Sequence, residues 1–296
     1  MPPPMTATVG SRWTSCGTDR AAVRRQSGSC WGATVAAEEG IPGLGERRCF
    51  LKRLPMAQWS RLEAERDGLL ALRPQAGELV VPEPLALVAW QGQAVLALEW
   101  LDLGRGSSQE WSRLGAALAA LHRGSPGPAF GWEHDTWIGG GRQRGGWHDD
   151  WGTFFVQQRL GDQLETLARS GIRLAVSDAQ LDRLAQRLVA HDPSPCLVHG
   201  DLWAGNAGVL HDGRPTIYDP AVSYSDREVD LAMAHLFGGF PAAFFEGYGS
   251  VWPLPDGHGE RRPIYNLYHL LNHAVLFGEP YIGQAARTLE GILAAP

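Results

Sequence analysis

The sequence predicts an α+β fold in two unequal parts, a small strand-rich one followed by a larger, mainly helical one. Three observations carry this. Short apolar runs with strand-compatible residues lie before residue 101, at CFLKRL (49–54) and AVLALEWL (94–101). Helix-period segments dominate afterwards, at 112–123, 152–160, 179–190 and 264–278. Inside that helical half sit three short strand-like pieces, CLVHG (196–200), AGVL (207–210) and TIYD (216–219), which form a polar hairpin. The chain divides into a tail (1–23), an N-terminal lobe (24–101) and a C-terminal lobe (102–296), with a hinge near Glu99–Leu103.

The opening MPPPMTATVGSRWTSCG lacks the charged-then-apolar layout of a secretory signal and reads as a mobile tail. After the strand 49–54, the segment 60–72 reads as a helix. Leu62, Leu69 and Leu72 recur at near-helical spacing, and Ser60 with Glu63 fits a capping box. VPEPL (81–85) breaks the chain with two prolines. In 112–123, Leu114, Leu118 and Leu121 fall on one face. FGWEHDTWIGGGRQ (130–143) reads as a loop near the cleft between the two parts.

Composition narrows the function classes. Hydrophobic residues at 44% and charged residues at 20% are ordinary for a globular protein with an ample core. The net charge of -6 and the lack of a Lys/Arg run argue against general nucleic-acid or anionic-membrane binding. No apolar stretch reaches the roughly 18 residues of a membrane span. Cys16, Cys30, Cys49 and Cys196 form neither a CxxC pair nor a metal-ligand spacing, so a reduced, cytoplasmic protein is expected. Oligomeric state is not readable.

Chemistry concentrates between His199 and Asp219. Asp201 leaves the first apolar piece, Asn206 follows on the same loop, and Asp219 ends the returning strand. The hairpin brings the three to one end. Hard oxygen ligands suit Mg²⁺, so Asn206 and Asp219 are expected to hold metal. Asp201 is then available to accept a proton from an attacking hydroxyl. One acid as base, with an Asn and an Asp on metal, is the layout of kinase-type phosphoryl transfer. Each residue alone reads as an ordinary turn residue; the joint spacing is what carries the argument. His199 reads as a structural residue.

Such chemistry requires upstream parts. Lys52 stands inside an apolar run and would reach nucleotide phosphates, paired with Glu65 on the next helix, with Glu63 as a rival. QSGSCWG (26–32), with Gly28 and Ser29, would cover phosphates with backbone N–H groups.

These segments resemble the fructosamine kinase (ketosamine-3-kinase) family, within the aminoglycoside phosphotransferase and choline kinase-like superfamily. HGDLWAGN followed by YDPAVSYSDREVDLAMAHLFGGF (218–240) is similar to its central signature, and FGWEHDTWIGGGRQ, DWGTFFVQQRL, LEWLDL and YNLYHLLNH are similar to further family segments. The resemblance implies a bilobal protein-kinase-like fold with ATP and Mg²⁺. It makes Asp201 the base, Asn206 and Asp219 the metal ligands, and Lys52 with Glu65 the phosphate-holding pair. Glu99, Trp100 and Leu101 become the hinge where adenine's edge meets backbone groups, and Asp230 the anchor of the catalytic loop. Trp203 is either buried core or a face that stacks on a sugar, and Asp226 either contacts substrate or starts a salt-bridged helix. The reaction implied is phosphorylation of a ketosamine's 3-hydroxyl, on a small molecule or a protein, leading to deglycation. The sequence departs from the family in its sparse glycine loop, where Cys30 would be either an inert buried cysteine or an exposed, oxidisable thiol. A kinase of another small alcohol, a metallophosphatase and a silent nucleotide-binding module are the rival readings.

Overall fold

The computed structural model describes residues 33–35, 41, 44 and 48–295. The N-terminal lobe is a four-stranded antiparallel sheet with one helix. Strands β1 (Ala33–Val35), β2 (Cys49–Pro55), β3 (Pro84–Trp90) and β4 (Gln93–Glu99) are ordered β1-β2-β4-β3, and α1 (Trp59–Leu72) lies between β2 and β3 in sequence. Strand β2 shows why a lysine sits in an apolar run. Cys49 and Leu51 point to one face and pack with Ile41, Leu44, Val95 and Ala97. By the two-residue period, Phe50, Lys52 and Leu54 share the other face, against the core that also holds Leu62 and Leu69 of α1. Lys52 is therefore drawn inward, 9% exposed.

Two local expectations fail here. The capping box at Ser60 is absent: a 3₁₀ turn, Met56–Gln58, already winds the chain, so α1 starts at Trp59 with Gln58 as N-cap and no side-chain cap. The proline-rich break at 81–85 runs straight into β3, because Pro84 is the first residue of an edge strand, where no ladder N–H is needed.

The C-terminal lobe begins with α2 (Ser108–Gly124), closed by a capping box of Ser107 and Glu110. The segment expected as a loop instead forms strands β5 (Phe130–Trp132), β6 (Thr136–Ile138) and β7 (Gly141–Gln143), followed by β8 (Gly146–His148). Its glycines make turns between strands: β6 and β7 form a hairpin, and β5 pairs with β8. A continuous helix then runs from α3 (Trp151–Thr153) through a π-helical stretch, Phe154–Gly161, into α4 (Asp162–Arg169). Helix α5 (Asp178–Val189) leads to strands β9 (Cys196–Val198), β10 (Ala207–Val209), β11 (Pro215–Ile217) and β12 (Ser223–Ser225). Strands β10 and β11 form the expected hairpin, and the other two join the sheet β8-β5-β12-β9. Helices α6 (Glu228–Leu236), α7 (Ala242–Val251), α8 (His258–Phe277) and α9 (Tyr281–Ala294) complete the chain. Among the described residues, no helix is long and apolar enough to cross a membrane.

Two large cores organise the molecule. One lies wholly in the C-terminal lobe and packs Phe154, Phe155, Leu160, Leu184, Tyr265 and Leu271. The other crosses between lobes: Leu54, Leu69 and Leu96 join Leu118, Leu202, Ile217 and Phe244 in one cluster. The two lobes are thus welded by shared apolar burial, with the polar hairpin at the seam.

Candidate active site

The loop between β9 and β10 is bent by Gly200. Its φ is +80°, and a Cβ there would lie 2.0 Å from the Ala221 carbonyl oxygen. Only glycine allows both the left-handed turn and the close approach. The bend turns Asp201 back toward Asn206 and Asp219.

Asn206 is 2% exposed. Its Nδ2 donates to the Asp201 carbonyl at 2.9 Å, to Asp201 Oδ2 at 3.1 Å and, at 3.4 Å, to the Asp219 carbonyl. The amide nitrogen is thus committed, which assigns Oδ1 as the atom available to a cation. Asp219 sits at φ +59°, a conformation that Asp tolerates better than most residues. An amide oxygen beside a carboxylate is a hard-oxygen pair suited to Mg²⁺. Burial pushes the Asp201 carboxyl up to about 7, the negative Asp219 adds to this, and the Asn206 amide opposes it. A carboxylate so tuned can accept a proton near neutral pH.

Lys52 reaches this cluster from the other lobe. Its Nζ lies 2.5 Å from Asp219 Oδ1 and 2.7 Å from Glu65 Oε1. Burial works against its charge, but Asp219 and Glu65 outweigh it and raise the lysine's pKa. Glu63, the rival partner, faces outward and pairs with Arg66 at 3.4 Å.

The loop is held from beneath by Asp230, which is fully buried. Its Oδ2 accepts from the His199 N–H at 2.7 Å and its Oδ1 from the Gly200 N–H at 2.8 Å. Burial disfavours its charge, yet the His122 bond and charge, then His199 and the Gly200 N–H, hold its pKa below the usual carboxylate range. His199 is also fully buried. Its Nδ1 accepts from the Asp201 N–H at 3.3 Å, so Nε2 carries the proton and donates to the Tyr218 carbonyl at 2.9 Å. Burial depresses its pKa, which keeps this neutral tautomer.

The remaining expected residues fall in different places. Trp203 is half-buried, and its ring covers Gly205, where a Cβ would lie 2.2 Å away. At the hinge, the Glu99 N–H already donates to the Glu83 carbonyl at 2.8 Å. Arg48 lies 3.9 Å over the Trp100 ring. Leu101 is buried with Leu210 and Tyr218, and among the described residues no backbone group pairs with it. Asp226 is not at a cleft surface. It is 2% exposed, accepts from Tyr265 Oη at 2.6 Å and meets His191 Nε2 at 3.0 Å, while the neighbouring Glu228 is clamped by Arg261. It behaves as a helix-start anchor rather than a substrate contact. Gly28, Ser29 and Cys30 lie outside the described residues.

Sequence reasoning missed His122. Its Nε2 stands 3.1 Å from Asp230 Oδ2 and its Nδ1 2.9 Å from Tyr248 Oη. A signal was present: it falls four residues after Leu118, on the apolar stripe of α2.

Residues 18–295 match the profile of the fructosamine kinase family. The chain belongs to that family. It is similar to a probable ketoamine kinase of Synechocystis sp., with 43% identity over 249 residues covering 84% of each chain. A solved Haemophilus somnus structure, described as a putative fructosamine-3-kinase, superposes with a TM-score of 0.78 at 30% identity, over 83% of this chain and 84% of that one. The choline kinase LicA of Streptococcus pneumoniae shares the fold at TM-score 0.55 and 14% identity, over 88% and 94% of the two chains. The fold is therefore the α+β, protein-kinase-like one, and the chain is a phosphotransferase with an alcohol group as acceptor. Family membership implies ATP as the phosphoryl donor.

Proposed function

We propose that this fructosamine kinase family member transfers the γ-phosphoryl group of ATP to the 3-hydroxyl of a ketosamine, a step that destabilises the sugar–amine adduct and leads to deglycation. The observation that carries it is the single hydrogen-bonded cluster of Asp201, Asn206 and Asp219, met by Lys52 from the opposite lobe. Asp201 orients the acceptor hydroxyl and takes its proton. Asn206 Oδ1 and Asp219 are the oxygens that would hold Mg²⁺. The ion, when bound, would neutralise charge on the phosphates. Lys52, steadied by Glu65, faces the phosphates, and the Leu101 backbone meets adenine. Trp203, its ring fixed over Gly205, offers a flat apolar face to the sugar. Residues up to the hinge serve the nucleotide, and those after it supply the base, the metal-holding oxygens and the acceptor site. Most of the rate then comes from positioning and preorganised charge.

The test is Mg²⁺-dependent ATP consumption with ribulose-lysine, fructose-lysine and choline, using wild type and Asp201→Asn. Turnover on a ketosamine that drops roughly 100-fold or more in the variant is expected for loss of a general base. Turnover on choline alone moves the acceptor elsewhere in the superfamily. An undiminished rate in Asp201→Asn removes Asp201 as base.

A further inference from the structure

Helix α1 carries Glu65 toward Lys52, and one turn earlier on the same helix stands Arg61. Arg61 Nη2 donates across the lobes to the Gly139 carbonyl at 2.8 Å, while its Nη1 donates to Gln58 at 2.5 Å. Gly139 is the tip of the β6–β7 hairpin. That tip rests on α8: a Cβ at Gly141 would fall 1.9 Å from Asn272 Oδ1, and one at Gly140 would fall 3.1 Å from Leu276. At its other end the hairpin is fixed by Gln143, whose Nε2 donates to Tyr268 Oη on α8 at 2.9 Å. The position of the tip carbonyl is thus set by the C-terminal lobe. A second contact runs the same way, with His134 Nε2 3.7 Å from Asp67 Oδ2 on α1. The Arg61 charge also acts on the Glu65 carboxylate.

We propose that Arg61 is a positioning residue: by tying α1 to the Gly139 carbonyl it holds Glu65 against Lys52, so that a C-terminal hairpin sets nucleotide affinity in the N-terminal lobe. This rests on the reading of Lys52 and Glu65 as the phosphate-holding pair. The shared core already joins the lobes, so the bond matters for the rotation and height of α1 rather than for overall folding.

The test measures ATP·Mg²⁺ binding by calorimetry, together with melting temperature and acceptor KM. The proteins are wild type, Arg61→Ala, Arg61→Lys, Glu65→Gln and the Arg61→Ala/Glu65→Gln double variant. Arg61→Ala is expected to weaken nucleotide binding roughly tenfold, the worth of one charge-assisted hydrogen bond, with acceptor KM unchanged. Arg61→Lys, which can still donate to a carbonyl, recovers most of the affinity. In the Glu65→Gln background the Arg61→Ala effect disappears, because the two act through one contact. Unchanged affinity in Arg61→Ala, or an effect that persists undiminished beside Glu65→Gln, overturns the proposal. If Glu65→Gln alone leaves affinity untouched, the phosphate-pair reading falls and takes this proposal with it.

Discussion

Replacing Asp230 by Asn is the most informative single change, because it keeps shape and removes charge. Asp230 receives three donors: the N–H groups of His199 and Gly200, and His122 Nε2. An amide has one acceptor oxygen. If that oxygen stays with Gly200, the new NH₂ faces the His199 N–H, and a fully buried donor loses its partner. An orphaned buried N–H costs about 1–3 kcal/mol, and weakening a retained bond from charged to neutral costs about 1 kcal/mol more. The sum is about 3 kcal/mol, a large part of a typical folding free energy. For a chain of this size that lowers the melting temperature by roughly 5 °C. Urea titration at pH 7 is the assay. The sign with pH follows from the depressed carboxyl. Its stabilisation is present above the unfolded value, about 3.9, and is lost as pH falls through the lower folded value. The gap between wild type and Asp230→Asn should therefore close below about pH 4. A loss under 1 kcal/mol, or a gap that stays constant into acid, would refute this account of the loop.

Other expectations concern neighbouring features. Burial lowers the pKa of His269 to about 3, and nearby His273 adds to this, so the folded state resists a proton that the unfolded chain takes up below about 6.5. Stability should thus fall between pH 7 and pH 5 by about 2 kcal/mol from this residue, and a His269→Gln variant should show a correspondingly flatter denaturation profile over that range. Gly200→Ala meets both a left-handed φ and the Ala221 carbonyl. It should abolish phosphoryl transfer and cost more than about 2 kcal/mol, read by activity and melting on the same sample; a stable, active variant would contradict the geometry.

Much of the architecture was legible because it was periodic. The leucines of 112–123 and the alternating apolar pieces at 196–219 gave their elements away, and the spacing of Asp201, Asn206 and Asp219 anticipated their convergence. What was not legible depended on tertiary context. Ser60 and Glu63 have the right letters for a cap, but the turn beginning at Met56 fills that role first. The FGWEHDTWIGGGRQ strands are three residues each, too short for any period to show, and are defined by their partners instead. Helices α7 and α9 went unread. Asp226 allows two readings from the sequence, a substrate contact or a helix start, and it is Tyr265 and His191, distant in sequence, that draw it inside. His122 matters through Asp230, 108 positions away, a separation no local pattern encodes.

The π-helical stretch Phe154–Gly161 makes the length of this part of the chain unusually tolerant. Such a stretch holds more residues per turn than an α-helix, so it accommodates what a regular helix would treat as a surplus. Removing one residue there would let α-helical winding resume while the helix beyond it keeps close to its present face. Phe154 and Phe155, at the start of the stretch, would keep their seats in the core, and Leu167 beyond it would stay on the core side. The same deletion in a regular helix, such as α5 or α8, would turn every later side chain by about 100° and carry its apolar stripe out of the core. Among natural and engineered relatives, a one-residue deletion should therefore be better tolerated within residues 154–161 than in the helices around it.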